Sequence, residues 1–149
     1  MWAATGLLGM RHLVATDGSA LGDEAVRYAA RHTVAFDGTL VIAHVLTPDS
    51  ELIDGTIVLP GEEAAVEEGE RILERARSVA TDGDDADLAV ETELLTGRPA
   101  EAITDFAAET DADAIYVGHR GLSEEREQVV GSVAKSVVDK AAVPVTVIR

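Results

Sequence analysis

Strand-like and helix-like runs alternate along the whole of this chain, and that alternation leaves few folds open. HLVAT (12–16) is a short apolar run closed by Asp17-Gly18, a turn signal. Ser19 suits an N-cap, and Leu21, Ala25, Tyr28, Ala29 and His32 then recur at helical spacing to about Val34. Asp37-Gly38 turns the chain into TLVIAHVL (39–46), a nearly continuous apolar strand. TPDSELIDGTIVLPG (47–61) reads as a long loop. A second helix follows over about 62–81, with Ala65, Ile72, Leu73, Ala76 and Val79 on one face. DLAVETELL (87–95) alternates, with Leu88, Val90, Thr92 and Leu94 on one side and Ala89, Glu91 and Glu93 on the other. That is the pattern of a half-exposed strand at a sheet edge. TGRPAEAITDFAAE opens a third helix, with Pro99 in its first turn and Ile103, Phe106 and Ala107 facing in. DAIYVG (113–118) is another buried strand, a helix runs from Ser132 to about Ala142, and VPVTVIR (143–149) closes the chain as a strand, Pro144 forbidding further helix.

The pattern is therefore βαβαβαβαβ, an α/β fold. Right-handed crossovers turn it into a single doubly wound, five-stranded parallel sheet with helices on both faces. The fully apolar strands 12–16, 39–46 and 113–118 belong at the centre and 87–95 at an edge, which favours the order 3-2-1-4-5. Ligands bind such sheets beyond the carboxyl ends of the strands where the order reverses, here between strands one and four. Two loops meet there, TDGS after strand one and GHRG after strand four.

The second of these carries the chemistry. GHRGLSEEREQVVGSV (118–133) sets Gly118, Gly121, Gly131 and Ser132 at fixed offsets before a helix. Glycine takes positive φ and lets a ligand approach the backbone. The first N–H groups of a helix are unpaired, and its dipole favours an anion. Ser132 can cap the helix or donate to a phosphate oxygen. Phosphate binding competes here with a plain turn and an N-cap serine. Asp17, across the switch point, suits a Mg²⁺ ligand or a nucleoside hydrogen bond, and equally a turn residue. Arg120 and Arg126 lie within reach of phosphate, though loop arginines are usually solvated. His119 has no assignable partner and is expected to be solvated or bonded to backbone. His12, His32 and His44 show no metal-ligand spacing and read as structural.

Composition narrows the function classes. The chain has 149 residues, enough for one domain, with 12 basic and 28 acidic residues and a net charge of −16. That argues against nonspecific binding to nucleic acid or anionic membrane, both of which need a basic face. There is no cysteine, hence no disulfide or thiolate site. No apolar run approaches the ~20 residues of a membrane span, and the expected compartment is the cytoplasm. The acid excess is dispersed and lysine is confined to Lys135 and Lys140, as in proteins of salt-accumulating halophiles. No P-loop, no dinucleotide fingerprint and no nucleophile elbow is present.

The spaced motif Gly-x₂-Gly-x₉-Gly-Ser, with HLVATDGS, AHVL, GRPAEAI and the closing run GSVAKSVVDKAAVPVTVIR, resembles the universal stress protein family over residues 10–149, with 1–9 as an N-terminal appendage. The resemblance is to the ATP-binding members. It implies ATP, or AMP or ADP, as ligand, with Mg²⁺ beside Asp17. Thr16 and Asp17 would lie by the nucleotide, and Val45 near the adenine. Gly118, Gly121, Gly131, Ser132 and Val133 would line the ribose and phosphates, with His119 and Arg120 adjacent. It also implies a homodimer through strand 143–149, whose apolar edge gives a physical reason to pair. The chain departs from the family in the acidic insert LSEEREQVV, which brings Glu124, Glu125 and Glu127 close to the phosphates. Two functions follow: a nucleotide-binding stress or signalling protein, or a dimeric interaction protein with a structural glycine loop. No dedicated arginine or base for phosphoryl transfer is evident, so any hydrolysis is expected to be slow.

Overall fold

The structure, a computed structural model, describes residues 9–46, 51–53, 56–58, 62–82, 87–119 and 131–149. Its elements run β1 (Arg11–Ala15), α1 (Ala20–Ala35), β2 (Thr39–Leu46), β3 (Glu51–Ile53), β4 (Thr56–Val58), α2 (Glu62–Ala80), β5 (Ala89–Thr96), α3 (Pro99–Glu109), β6 (Ala114–Gly118), α4 (Ser132–Lys140) and β7 (Val145–Ile148). Five strands form one parallel sheet in the order β5-β2-β1-β6-β7, the expected 3-2-1-4-5. One reading of the sequence is corrected. The stretch taken as a loop, 47–61, contains the antiparallel pair β3–β4, with Glu51 opposite Val58 and Ile53 opposite Thr56. Asp54-Gly55 between apolar runs is a hairpin signal in its own right.

Strand periodicity sorts the core into two layers. On one face Val14, Leu40, Ile42 and Tyr116 pack with Ala25, Val26 and Ala29 of α1 and Leu73 and Ala76 of α2. On the other, Leu13, Val41, Ala43, Ile115 and Val117 pack with Ala100, Ile103 and Ala107 of α3 and Ala134 and Val137 of α4. Successive side chains of a strand point to opposite faces, so each central strand serves both layers and reads as continuously apolar. At β5 Ala89, Glu91 and Glu93 are exposed while Val90, Thr92 and Leu94 are half-buried, as the alternation required of an edge. In α2 the inner face is Gly69, Leu73, Ala76 and Ala80, and Ala65, expected inside, is exposed.

Capping follows local chemistry. Ser19 accepts a hydrogen bond from the Gly22 amide at 3.0 Å and starts α1. Pro99 opens α3 at a position where its missing N–H costs nothing. Gly97, just before it, has φ +115, a conformation open to glycine.

Candidate functional site

The chain leaves β1 for α1 on one face of the sheet and leaves the adjacent β6 for α4 on the other. In sheets of this topology ligands bind in the crevice beyond the carboxyl ends of the strands at such a point. The β1–β6 register pairs Leu13 with Ile115 and Val14 with Tyr116, so continuing it sets Thr16 level with Gly118.

On the β1 side the TDGS turn is held by its own hydrogen bonds. The Thr16 amide donates to the Ala43 carbonyl at 3.0 Å. The Gly18 amide donates to Thr16 Oγ1 at 3.2 Å, and the Ser19 amide donates to Asp17 Oδ1 at 3.0 Å. Gly18 has φ +84, where a side chain is strained, and a Cβ would also meet Ile72 of α2 at 3.2 Å. Thr16 is buried and Asp17 half-buried. One carboxylate oxygen of Asp17 thus shapes the turn that presents the residue.

On the β6 side the His119 amide donates to the Ile148 carbonyl at 2.7 Å, and the Gly131 amide donates to the His119 carbonyl. These two bonds bring Gly118 and Gly131 together although residues 120–130 lie between them. Gly131 is the N-cap of α4, with φ −62 and ψ 156, and as glycine it brings no side chain to cap the helix. The first intrahelical bond runs from the Lys135 amide to the Gly131 carbonyl at 3.1 Å. The amides of Ser132, Val133 and Ala134 precede it and carry the positive end of the helix dipole. Ser132 and Val133 are exposed.

Two expectations change here. Ser132 is the first helical residue and not the cap, which is Gly131. Gly118 and Gly131 do not have positive φ, a conformation that falls to Gly18 and Gly97. What glycine contributes at 118 and 131 is the missing side chain. His119 is buried, 4% exposed, and not solvated; its backbone bonds follow the other branch of the expectation. Val45 is half-buried on β2 beside Leu95, on the α3–α4 side of the sheet. Arg120 and Gly121 lie outside the described residues, as do Arg126 and the acidic insert. Among the described residues no three His, Asp or Glu side chains gather in a metal-binding cluster.

The ionisable groups with displaced pKa lie elsewhere. His12, at the amino end of β1, is fully buried, and its Nδ1 donates to Thr33 Oγ1 at 3.0 Å, since that hydroxyl donates to the Ala29 carbonyl. Burial lowers its pKa, with Asp113 opposing and His32 adding to the shift. Burial raises that of Tyr116, and Tyr28 adds to it. Sequence reasoning missed one residue at the site. His44, read as structural, donates from Nδ1 to the Thr16 carbonyl at 2.8 Å.

Comparison with known proteins agrees with the fold. The model of the universal stress protein family matches residues 10–149. A universal stress protein of Thermus aquaticus is 31% identical over 137 residues, covering 92% of this chain and 96% of the relative. One of Methanocaldococcus jannaschii is 29% identical over 144 residues, covering 92% and 80%. Among solved structures, a universal stress protein of Archaeoglobus fulgidus aligns over all of both chains with a TM-score of 0.76 and 27% identity. A universal stress protein in complex with cAMP aligns at 0.73 and 26%, covering 95% and 98% of the two chains. One from Archaeoglobus fulgidus in complex with dAMP aligns at 0.74 and 28%, covering 95% and 99%. No described helix is long and apolar enough to cross a membrane.

Proposed function

Because this chain belongs to the universal stress protein family, we propose that it is an adenine-nucleotide-binding stress or signalling protein that works as a homodimer. One observation carries the reading: the amino end of α4, whose N-cap is a glycine, stands with Gly118 and Gly131 at the switch point of the sheet. Unpaired amides and a helix dipole at that place suit a phosphate. Two structural neighbours, solved with cAMP and dAMP, support an adenine nucleotide.

In this reading Ser132, Val133 and the Gly131 backbone hold phosphate, joined by Gly118, His119, Arg120 and Gly121, with His119 acting through its backbone. Thr16 and Asp17 border the nucleotide, and Val45 contacts the adenine. ATP is the ligand proposed, with AMP and ADP as the shorter alternatives. A triphosphate in a protein of net charge −16 needs compensation, which Mg²⁺ held by Asp17 and the phosphates supplies. The same charge, screened at molar salt where the Debye length is about 3 Å, fits a halophile's cytoplasm. The dimer forms through β7. The opposite edge, β5, is guarded by Glu91 and Glu93, whereas β7 reads VTVI with no charge.

Purification in molar potassium chloride, heat release and mass analysis of the retained ligand test the reading. Near-stoichiometric adenine nucleotide supports it. A protein that emerges empty and ignores added Mg-ATP and AMP contradicts it and makes the glycine loop structural. Sedimentation over a concentration series tests the dimer.

A further inference from the structure

The geometry points to His44 as a positioning residue for the nucleotide site, one that sets the place of Thr16 and Asp17 without touching the ligand. The inference rests on the proposed nucleotide reading and names a residue outside the phosphate motif.

The β1–β2 ladder ends with Ala15 beside Ala43, and the Thr16 amide donates back to the Ala43 carbonyl at 3.0 Å. One residue past the last pair, the donor that meets the Thr16 carbonyl is a side chain, His44 Nδ1 at 2.8 Å. A carbonyl can only accept, so the ring carries a proton on Nδ1. The next peptide unit is that of Asp17, whose carboxylate in turn accepts from the Ser19 amide. Rotation of the Thr16–Asp17 peptide would therefore move the whole TDGS turn.

The ring is itself fixed by α2. A Cβ built on Gly69 would lie 3.4 Å from His44 Cδ2, 3.2 Å from Leu46 Cδ2 and 2.7 Å from Leu94 Cδ1. Absence of a side chain at Gly69 lets the helix close down over His44. One turn further on, Ile72 packs against Gly18 of the turn. Helix α2 thus bears on the turn twice, directly through Ile72 and through the His44 ring. A histidine in a strand whose neighbours are Ala43 and Val45 is costly to half-bury without such a bond.

The test is a pair of substitutions read by calorimetric titration with AMP and with Mg-ATP in molar potassium chloride. His44→Leu keeps bulk but removes the donor. His44→Asn places an amide nitrogen the same number of bonds from the backbone as Nδ1. Loss of one hydrogen bond that orients the site predicts binding roughly three- to tenfold weaker in His44→Leu. Binding in His44→Asn should return to within about twofold of the parent, even though both variants lose ring packing and melt earlier. A merely structural ring predicts instead that the two variants lose affinity together, in step with their melting temperatures. Should His44→Leu fail to fold, ¹⁵N resonances of the parent's His44 ring decide: a proton on Nδ1 agrees with the inference, and a bare Nδ1 overturns it. Equal affinity in all three proteins overturns the inference and leaves the nucleotide reading standing. No binding by the parent overturns both.

Discussion

Gly22→Ala is a substitution for which helix propensity and packing predict opposite signs. Gly22 is the third residue of α1, where alanine would ordinarily stabilise by about 1 kcal/mol. Here a Cβ would stand 2.5 Å from Thr16 Oγ1 and 3.3 Å from both Asp17 Oδ1 and Ser19 Oγ. Thr16 is only 6% exposed and its hydroxyl holds the Gly18 amide, so the oxygen has no free direction to yield. Rotating the threonine loses that hydrogen bond, about 1 kcal/mol. Leaving it in place overpacks the turn at about 1–3 kcal/mol. Set against the propensity gain, packing cancels or outweighs it, and the variant is expected to be less stable by up to about 2 kcal/mol, which for a chain of this size lowers Tm by up to roughly 8 °C. Urea unfolding measures it. Thr16→Ala in the same chain removes the obstructing oxygen, so the double variant should be more stable than the sum of the singles by over about 1 kcal/mol. A Gly22→Ala protein stabilised by about 1 kcal/mol, with additive behaviour in the double variant, would refute the close packing of turn on helix.

Three further outcomes follow from the same structure. His12 has its pKa lowered by burial, so the unfolded chain binds more protons below about pH 6.5. Its share of stability is present above that pH and is lost as pH falls from there through the folded value. His12→Gln should make the acid limb of a stability–pH curve shallower by up to about 1.4 kcal/mol per pH unit, and an unchanged slope would count against a neutral buried ring. Ile115→Ala, in a central strand with no exposure, should cost about 2–5 kcal/mol in chemical denaturation. Melting temperature should rise from 0.1 M to molar potassium chloride as the Debye length shrinks from about 10 to about 3 Å, and a flat response would remove self-repulsion as a factor.

The architecture was readable because strand burial leaves a direct mark on composition. Leu13, Val14, Ile42 and Ile115 sit in runs that are apolar on both faces, while Glu91 and Glu93 alternate with Val90 and Leu94. Those two patterns alone order the sheet. The hairpin β3–β4 is hard to read because its strands are only three residues long, in a stretch that also holds Pro48 and Pro60. Ala65 was placed inward because alanine is at ease on either side of a helix, and only packing against β2 and β5 selects Gly69 and Leu73 instead.

For the site, the spacing of the glycines says which residues come together and misjudges the local reasons. Gly118 and Gly131 meet through the His119 carbonyl, as a clamp requires, but neither has the positive φ that glycine was invoked to supply. The cap of α4 is Gly131 and not Ser132 because the chain enters the helix in extended conformation one residue earlier. His44 was passed over because periodicity reports which face a side chain takes and not which carbonyl of the neighbouring strand it meets. Such cross-strand bonds depend on register, which no single segment encodes.

Calorimetric titration of AMP and Mg-ATP into the parent protein and Gly131→Val, in molar potassium chloride, tests the central claim most directly. With φ −62 and ψ 156, valine at 131 is compatible with the backbone, but Gly131 is buried, so affinity is compared only under conditions where the melting temperature shows both proteins fully folded. Saturable binding by the folded parent, at least tenfold weaker in folded Gly131→Val, is the predicted result. Equal binding by both proteins, or none by either, would contradict a phosphate site at the start of α4.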